Sequence, residues 1–154
     1  MLSTNIGAYI TTKFGLERTA SGAGQGGNVG AQDGTVIDRT ATRPLNLSAK
    51  FAVGWQAIIA SGNTLAITVQ PRVSDDDVTY ENFGDPVVET ITGLNAGGEQ
   101  RGTVEVDVNL IGAPQYLRAR VTPVLSASGV DVAEVFGTWV LGGGETIPPT
   151  PSDA

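Results

Sequence analysis

Three consecutive acids, Asp75-Asp76-Asp77, are the densest group of chemically capable side chains in the 154-residue chain, with Glu81 and Asp85 close behind. Calcium takes several oxygen ligands, usually from alternating positions of a loop. Here the three Asp are adjacent and match no EF-hand spacing, and in an extended segment the middle side chain points away from the other two. The spacing favours a solvated acidic turn over a metal site. A glycosidase needs two carboxylates flanking a sugar. Asp75 to Asp77, Glu81, Asp85, Glu105, Asp107, Asp131 and Glu134 are available, but nothing singles out a pair. Aromatic residues, the natural sugar platforms, make up only 6% of the chain.

Two absences narrow the chemistry further. The chain has no Cys, which removes disulfides, thiolate metal sites and cysteine nucleophiles. It also has no His, the commonest general acid/base and metal ligand. Any catalysis would have to run on carboxylates, Lys, Tyr or Ser. We therefore expect a protein that is not an enzyme. No catalytic, cofactor-binding or metal-ligating residue is assigned, and no cofactor is expected.

Net charge is −7, and the nine Lys and Arg residues are scattered without a basic run. Such a chain repels phosphate backbones, so nucleic acid is not an expected partner. Arg118 and Arg120 share one strand face, with Arg101 not far off in sequence. They can meet carboxylates of a partner or form a solvated face, and sequence does not choose. Trp55 and Trp139 fall in apolar stretches, where core or interface packing is the default.

The elements that position these residues follow from hydrophobic periodicity. Leu45, Leu47, Ala49, Phe51, Val53 and Trp55 alternate with polar or small residues, the pattern of a half-buried strand. Leu65, Ile67, Val69 and Val73 repeat it. Pro71 places that second strand at an edge or at a bulge. Further strands are expected at Val78 to Phe83, Val87 to Ile91, Val104 to Leu110, Tyr116 to Leu125 and Val130 to Leu141. The stretch from Gly93 to Gly102 reads as a loop. Turn residues separate the strands, and no segment reads as a long helix. The fold class is all-β, a β-sandwich or jelly roll of about 7–9 strands with an extended N-terminal arm.

Three regions follow. Residues 1–34 read as an arm anchored by Ile6, Tyr9, Ile10, Phe14 and Leu16, ending in a Gly-rich linker with six Gly between Gly22 and Gly34. That linker lacks the Gly-Lys-Ser/Thr ending of a phosphate loop. Residues 35–141 form the β-sandwich domain. Residues 142–154 are a Gly- and Pro-rich tail. There is no basic, apolar leader and no window of ~20 apolar residues, so neither a cleaved export signal nor a membrane partner is expected. One weak echo links Val69-Gln-Pro-Arg-Val-Ser74 and Phe83-Gly84 with Val121-Thr-Pro-Val-Leu-Ser126 and Phe136-Gly137.

The segment Ser61-Gly-Asn-Thr-Leu-Ala-Ile-Thr-Val-Gln-Pro-Arg-Val-Ser-Asp-Asp-Asp-Val-Thr-Tyr80-Glu-Asn-Phe-Gly84 resembles one found in small virion proteins of tailed bacteriophages. There a Gly-Xaa-Thr-Leu strand precedes a Ser-Xaa-Asp-Gly-Xaa-Thr-Trp hairpin. Asp77 stands where Gly is usual, and Tyr80 where Trp is usual. The Tyr116-Leu-Arg-Ala-Arg120 strand is similar as well, and the resemblance spans about residues 45 to 141. It implies a head decoration (cement) protein on the capsid surface of a virion, with the major capsid protein as partner. A homo-oligomer is implied too, trimer favoured. Neck or tail components are the alternative within the group. A carbohydrate-binding or adhesive β-sandwich, with calcium near Asp75 to Asp77, is the alternative outside it.

Overall fold

The structure, a computed structural model, describes residues 10–41 and 45–144. Among these are ten strands: β1 (Ile10–Gly22), β2 (Gln32–Asp33), β3 (Ile37–Asp38), β4 (Asn46–Ile58), β5 (Thr64–Ser74), β6 (Glu81–Asn82), β7 (Val87–Thr92), β8 (Glu99–Asn109), β9 (Tyr116–Leu125) and β10 (Val132–Gly144). They form two antiparallel sheets. The first runs β1-β10-β4-β8. In the second, β9 and β5 are central, with β2 and β3 beside β9 and β6 and β7 beside β5. Since β2 and β3 extend along one neighbour, as do β6 and β7, ten strands fill eight positions. In chain order those positions read 1-8-3-6 and 2-7-4-5, the connectivity of a jelly roll.

Alternation explains the core. Along β4, Ala49, Phe51, Val53, Trp55 and Ala57 are buried, while Ser48, Gln56 and Ile58 face out. On β10 the inward set is Ala133, Val135, Trp139 and Leu141, and on β8 it is Val104, Val106 and Val108. The second sheet answers with Leu65, Ile67, Val69, Leu117, Ala119, Val121 and Leu125. Phe51 and Trp139 are cross-strand partners with ring centroids 4.7 Å apart. Both lie fully buried. The Phe51 ring reaches across β10 towards β1: a Cβ on Gly15 or Gly137 would come within 2.4 Å or 2.3 Å of it.

Several expectations are corrected here. Residues 10–22 do not form a free arm. They are strand β1, paired with β10 from Ile10↔Gly142 to Gly22↔Val132, and Leu16 is in the core. Ile6 and Tyr9 lie outside the described residues. The Gly-rich stretch is a folded loop rather than a linker. Gly22 and Gly27 bridge each other, and Asn28 bonds both backbone groups of Leu125, at 3.1 and 2.9 Å. Glycine is required at Gly22, where φ is +108° and a Cβ would lie 2.1 Å from the Asp131 carbonyl. Residues 142–144 continue β10 rather than opening a tail, and the remainder of that tail lies outside the described residues. The expected loop from Gly93 to Gly102 ends at Glu99, where β8 begins.

Pro71 is central, not at an edge, and the pairing of β5 with β9 runs through it without a register shift, from Gln70↔Arg120 to Arg72↔Arg118. Its missing N–H falls where the neighbouring chain leaves the ladder, between Val69↔Val87 and Arg72↔Asn82. Buried Gln70 bridges the gap, donating to the carbonyls of Pro71 (2.8 Å) and Gly84 (3.1 Å). The echoed segments are neighbouring strands paired at Val69↔Val121. Their Phe residues differ, since Phe83 packs against the core and Phe136 is exposed.

The open edges of the first sheet are protected. β8 carries Glu99, Arg101, Glu105 and Asp107 along its edge, and β1 has two register shifts. Charges and bulges both discourage edge-to-edge pairing.

Candidate functional site

The outer face of the first sheet is built around glycine and phenylalanine. Gly54 pairs with Phe136 across β4 and β10, and the Phe136 ring lies over it, 2.2 Å from where a Cβ would be. On the other side of β4, Trp55 pairs with Gly102, whose Cβ would lie 2.9 Å from the indole. The result is a shallow depression floored by Ala52, Gly54 and Gly102, walled by Phe136 and rimmed by Gln56, Arg101 and Thr103. Phe136 is 52% exposed, and Phe14, in register two positions along on β1, is 58% exposed. Ile58, opposite Val132, adds a further exposed apolar side chain. Four exposed ion pairs border this face: Arg18–Glu134, Lys50–Glu105, Lys50–Asp107 and Arg101–Glu99. Pairs this exposed contribute little to stability; they leave the apolar centre without a strong field of either sign.

The outer face of the second sheet has the opposite character. Arg72 and Arg118 are direct cross-strand partners, and Arg120 lies opposite Gln70 one step along. Like charges so placed repel. One carboxylate, Asp33, compensates them from β2. Arg120 grips it with a two-pronged fork, Nε at 2.7 Å and Nη2 at 2.9 Å. Arg118 Nη2 is at 3.1 Å and Arg72 Nη1 at 3.9 Å. The hydrogen bond from Arg120 holds the Asp33 carboxyl below the usual carboxylate range, against the opposing effect of burial, with the three cations adding to it. Arg72 is pushed down by burial and by the neighbouring Arg120 and Arg118.

Tyr80 fixes two of the guanidiniums. Arg118 stacks on its ring at 3.7 Å, a favourable cation–π arrangement, and Arg72 donates to its carbonyl. The Tyr80 hydroxyl donates to Asp77, and burial followed by that bond raises its pKa. The turn leading to Tyr80 is organised by Asp76. Its carboxylate accepts from the backbone N–H of Thr79 (2.8 Å) and Val78 (2.9 Å) and from the Ser74 hydroxyl (2.8 Å). These bonds lower its pKa to about 2, those from Thr79 and Val78 contributing most. Asp77 adopts φ +58°, the left-handed conformation glycine takes most easily, at the position where the resembling hairpins carry Gly.

The acids named from sequence are distributed rather than gathered. Asp75 to Asp77 form the turn just described, and Glu81 is on β6. Glu105 and Asp107 face Lys50. Asp131 is buried and accepts from Ala60 N–H and Asn63 Nδ2, both at 2.9 Å, tying two turns together. Among the described residues, no group of three metal-ligating side chains comes together. Arg118 and Arg120 do share a site, but Arg101 is in the other sheet. Both Trp residues are core.

Sequence reasoning missed Asp33, hidden in the Gly-rich stretch, and Arg72, an isolated cation beside Pro71. It also missed Arg39, which is buried and bonds the carbonyls of Leu110 (2.8 Å), Pro114 (3.0 Å), Asn46 (3.2 Å) and Ala113. No pattern in the chain announces any of the three. Their partners are brought in by strand order alone.

No protein-family model matches the chain, and no curated protein matches its sequence. Distant matches are found among solved structures. The structure of the infectious bursal disease virus Gx strain is 12% identical with a TM-score of 0.46, over 91% of this chain and 34% of that one. A Clostridium thermocellum xylanase 10B fragment with its CBM22-1 and GH10 modules is 12% identical at TM-score 0.43, over 90% and 27%. The tobacco streak virus coat protein is 15% identical at TM-score 0.29, over 99% and 96%. The chain thus spans about a third of the length of the first and a quarter of the second.

Proposed function

We propose that this chain is a virion structural protein without enzymatic activity, specifically a head decoration (cement) protein of a tailed bacteriophage. It binds the major capsid protein at the capsid surface and acts as a homo-oligomer. The observation that carries this reading is the outer face of the first sheet. A rigid antiparallel body presents Phe136, Phe14 and Ile58 to solvent around a glycine-floored depression. Large exposed apolar side chains grouped on one face mark a surface that meets another protein. The sequence resemblance of residues 45 to 141 to small phage virion proteins adds the kind of partner. Many modest contacts of this sort, repeated over a shell, bind through avidity.

The test is co-sedimentation of the purified protein with undecorated capsids of its source phage, alongside native mass spectrometry of the free protein. Saturable binding, weakened at least about tenfold by Phe136→Gln (the loss expected when one buried aromatic anchor of an interface is removed), is the expected result. A monomer with no affinity for those capsids refutes the proposal. Binding to tail tubes or to a glycan array instead would move the protein to the tail or to the carbohydrate-binding reading.

A further inference from the structure

We infer that the Arg72–Arg118–Arg120 face of the second sheet is a binding site for an acidic polypeptide segment presenting at least two carboxylates. The inference goes beyond the role proposed above and stands on different residues. Three guanidiniums converge on one carboxylate, leaving two positive charges in excess within a chain whose net charge is −7. The same sheet face elsewhere shows what stability alone uses: the cross-strand pair Thr68↔Thr122 is neutral. Setting Arg72 beside Arg118 is costly, because like charges oppose each other there. Each also keeps an Nε–H with no acceptor among the described residues.

The site is also prepared for a ligand. Tyr80 holds Arg118 by stacking and Arg72 through its carbonyl, and Asp33 holds Arg120 from the side. Little side-chain freedom is left to lose on binding. Arg120 is the most open of the three, with 38% of its side chain exposed. Guanidinium groups recognise carboxylates through paired hydrogen bonds, as Arg120 already does with Asp33.

Charge decides between classes of partner. A nucleic acid brings a continuous phosphate run, and the acidic turn Asp75-Asp76-Asp77 follows directly on β5, with Asp77 held by the Tyr80 whose ring carries Arg118. These acids repel a long anionic strand. A short acidic segment fits the patch without crossing them.

The experiment is calorimetric titration of the full chain with hexaglutamate, with hexaglutamine and orthophosphate as controls at matched ionic strength. Hexaglutamate should bind about tenfold tighter than either control, as several charge-assisted contacts allow. Arg120→Gln should weaken it by about threefold to fivefold, and Asp33→Asn should strengthen it by a similar factor, the scale of one partly exposed ion pair. The rise in Asp33→Asn keeps the test decisive even if the arginine variant folds poorly, since structural damage does not raise affinity. Equal binding of hexaglutamine or orthophosphate overturns the proposal, as does indifference to both substitutions. Self-association in sedimentation that Arg120→Gln abolishes would make the occupant a second copy, and would also overturn it. Because the readout is peptide binding, its failure is separate from failure to bind capsids.

Discussion

The two outer faces of this jelly roll belong to sheets of the same antiparallel build and differ in almost everything else. On the β1-β10-β4-β8 sheet the outward positions near the middle are Ala52, Gly54 and Phe136. On the β9-β5 sheet they are Arg72, Arg118 and Arg120 around Asp33. One face can gain energy by losing water from apolar surface, and the other by matching charge. An apolar face sticks wherever a complementary shape is offered, whereas a charged face selects its partner and steers its approach. Under the two proposals above, one partner is held by area and another is discriminated by charge.

The largest effect should come from erasing both faces together. Gly137→Val would place side-chain carbon 2.3 Å from the Phe51 ring at the centre of the first sheet. We expect a loss of about 3 kcal/mol or more, read as a large fall in the urea midpoint, with both surfaces lost. Next is Arg39→Met. Arg39 bonds the carbonyls of Asn46, Leu110 and Pro114, where the first sheet joins the loop leading to the second. Those buried acceptors would be stranded, costing about 2–3 kcal/mol in chemical unfolding.

Phe136→Gln separates the faces. The ring covers Gly54 but is half exposed, so stability should fall by only about 1 kcal/mol or less. Capsid binding should weaken strongly, while hexaglutamate binding should not change. An equal loss of both would show that the faces act as one surface.

The smallest effect concerns acid. Asp76, at a pKa of about 2, and Asp33, also lowered, are both ionised in the fold below the pH at which an unfolded Asp takes up its proton. Their stabilisation is present above about pH 4 and is lost as pH falls from there towards 2. Thermal midpoints should therefore decline over that window. Asp76→Asn should flatten the decline while lowering the midpoint at pH 6. An unchanged slope would show that the bonds Asp76 accepts in the turn before Tyr80 do not supply the acid-labile stability.

Much of the fold is legible along the chain because alternation is local. Leu47 to Trp55 and Val104 to Leu110 show which side chains face the core, and Ser61-Gly-Asn and Ser126 to Gly129 show where the chain turns. The β1 segment was hard to read because Gly15 and the double register shift break its alternation. It becomes a strand only through β10, whose sequence lies more than a hundred residues away. The Gly-rich stretch misled for a similar reason: its glycines serve positive φ and close approach to Asp131, which composition alone does not distinguish from flexibility.

By itself, the sequence determined an all-β body, its inward-facing residues and chemistry without His or Cys. Strand order belonged to tertiary structure alone. The jelly-roll closure lays β2 beside β9 and β9 beside β5, and so brings Asp33 to Arg72, Arg118 and Arg120. It also lays β10 over β4, and so sets Phe136 upon Gly54. The physical reason is that a side chain's facing repeats every two residues, whereas its neighbour is chosen by how two sheets together bury one core.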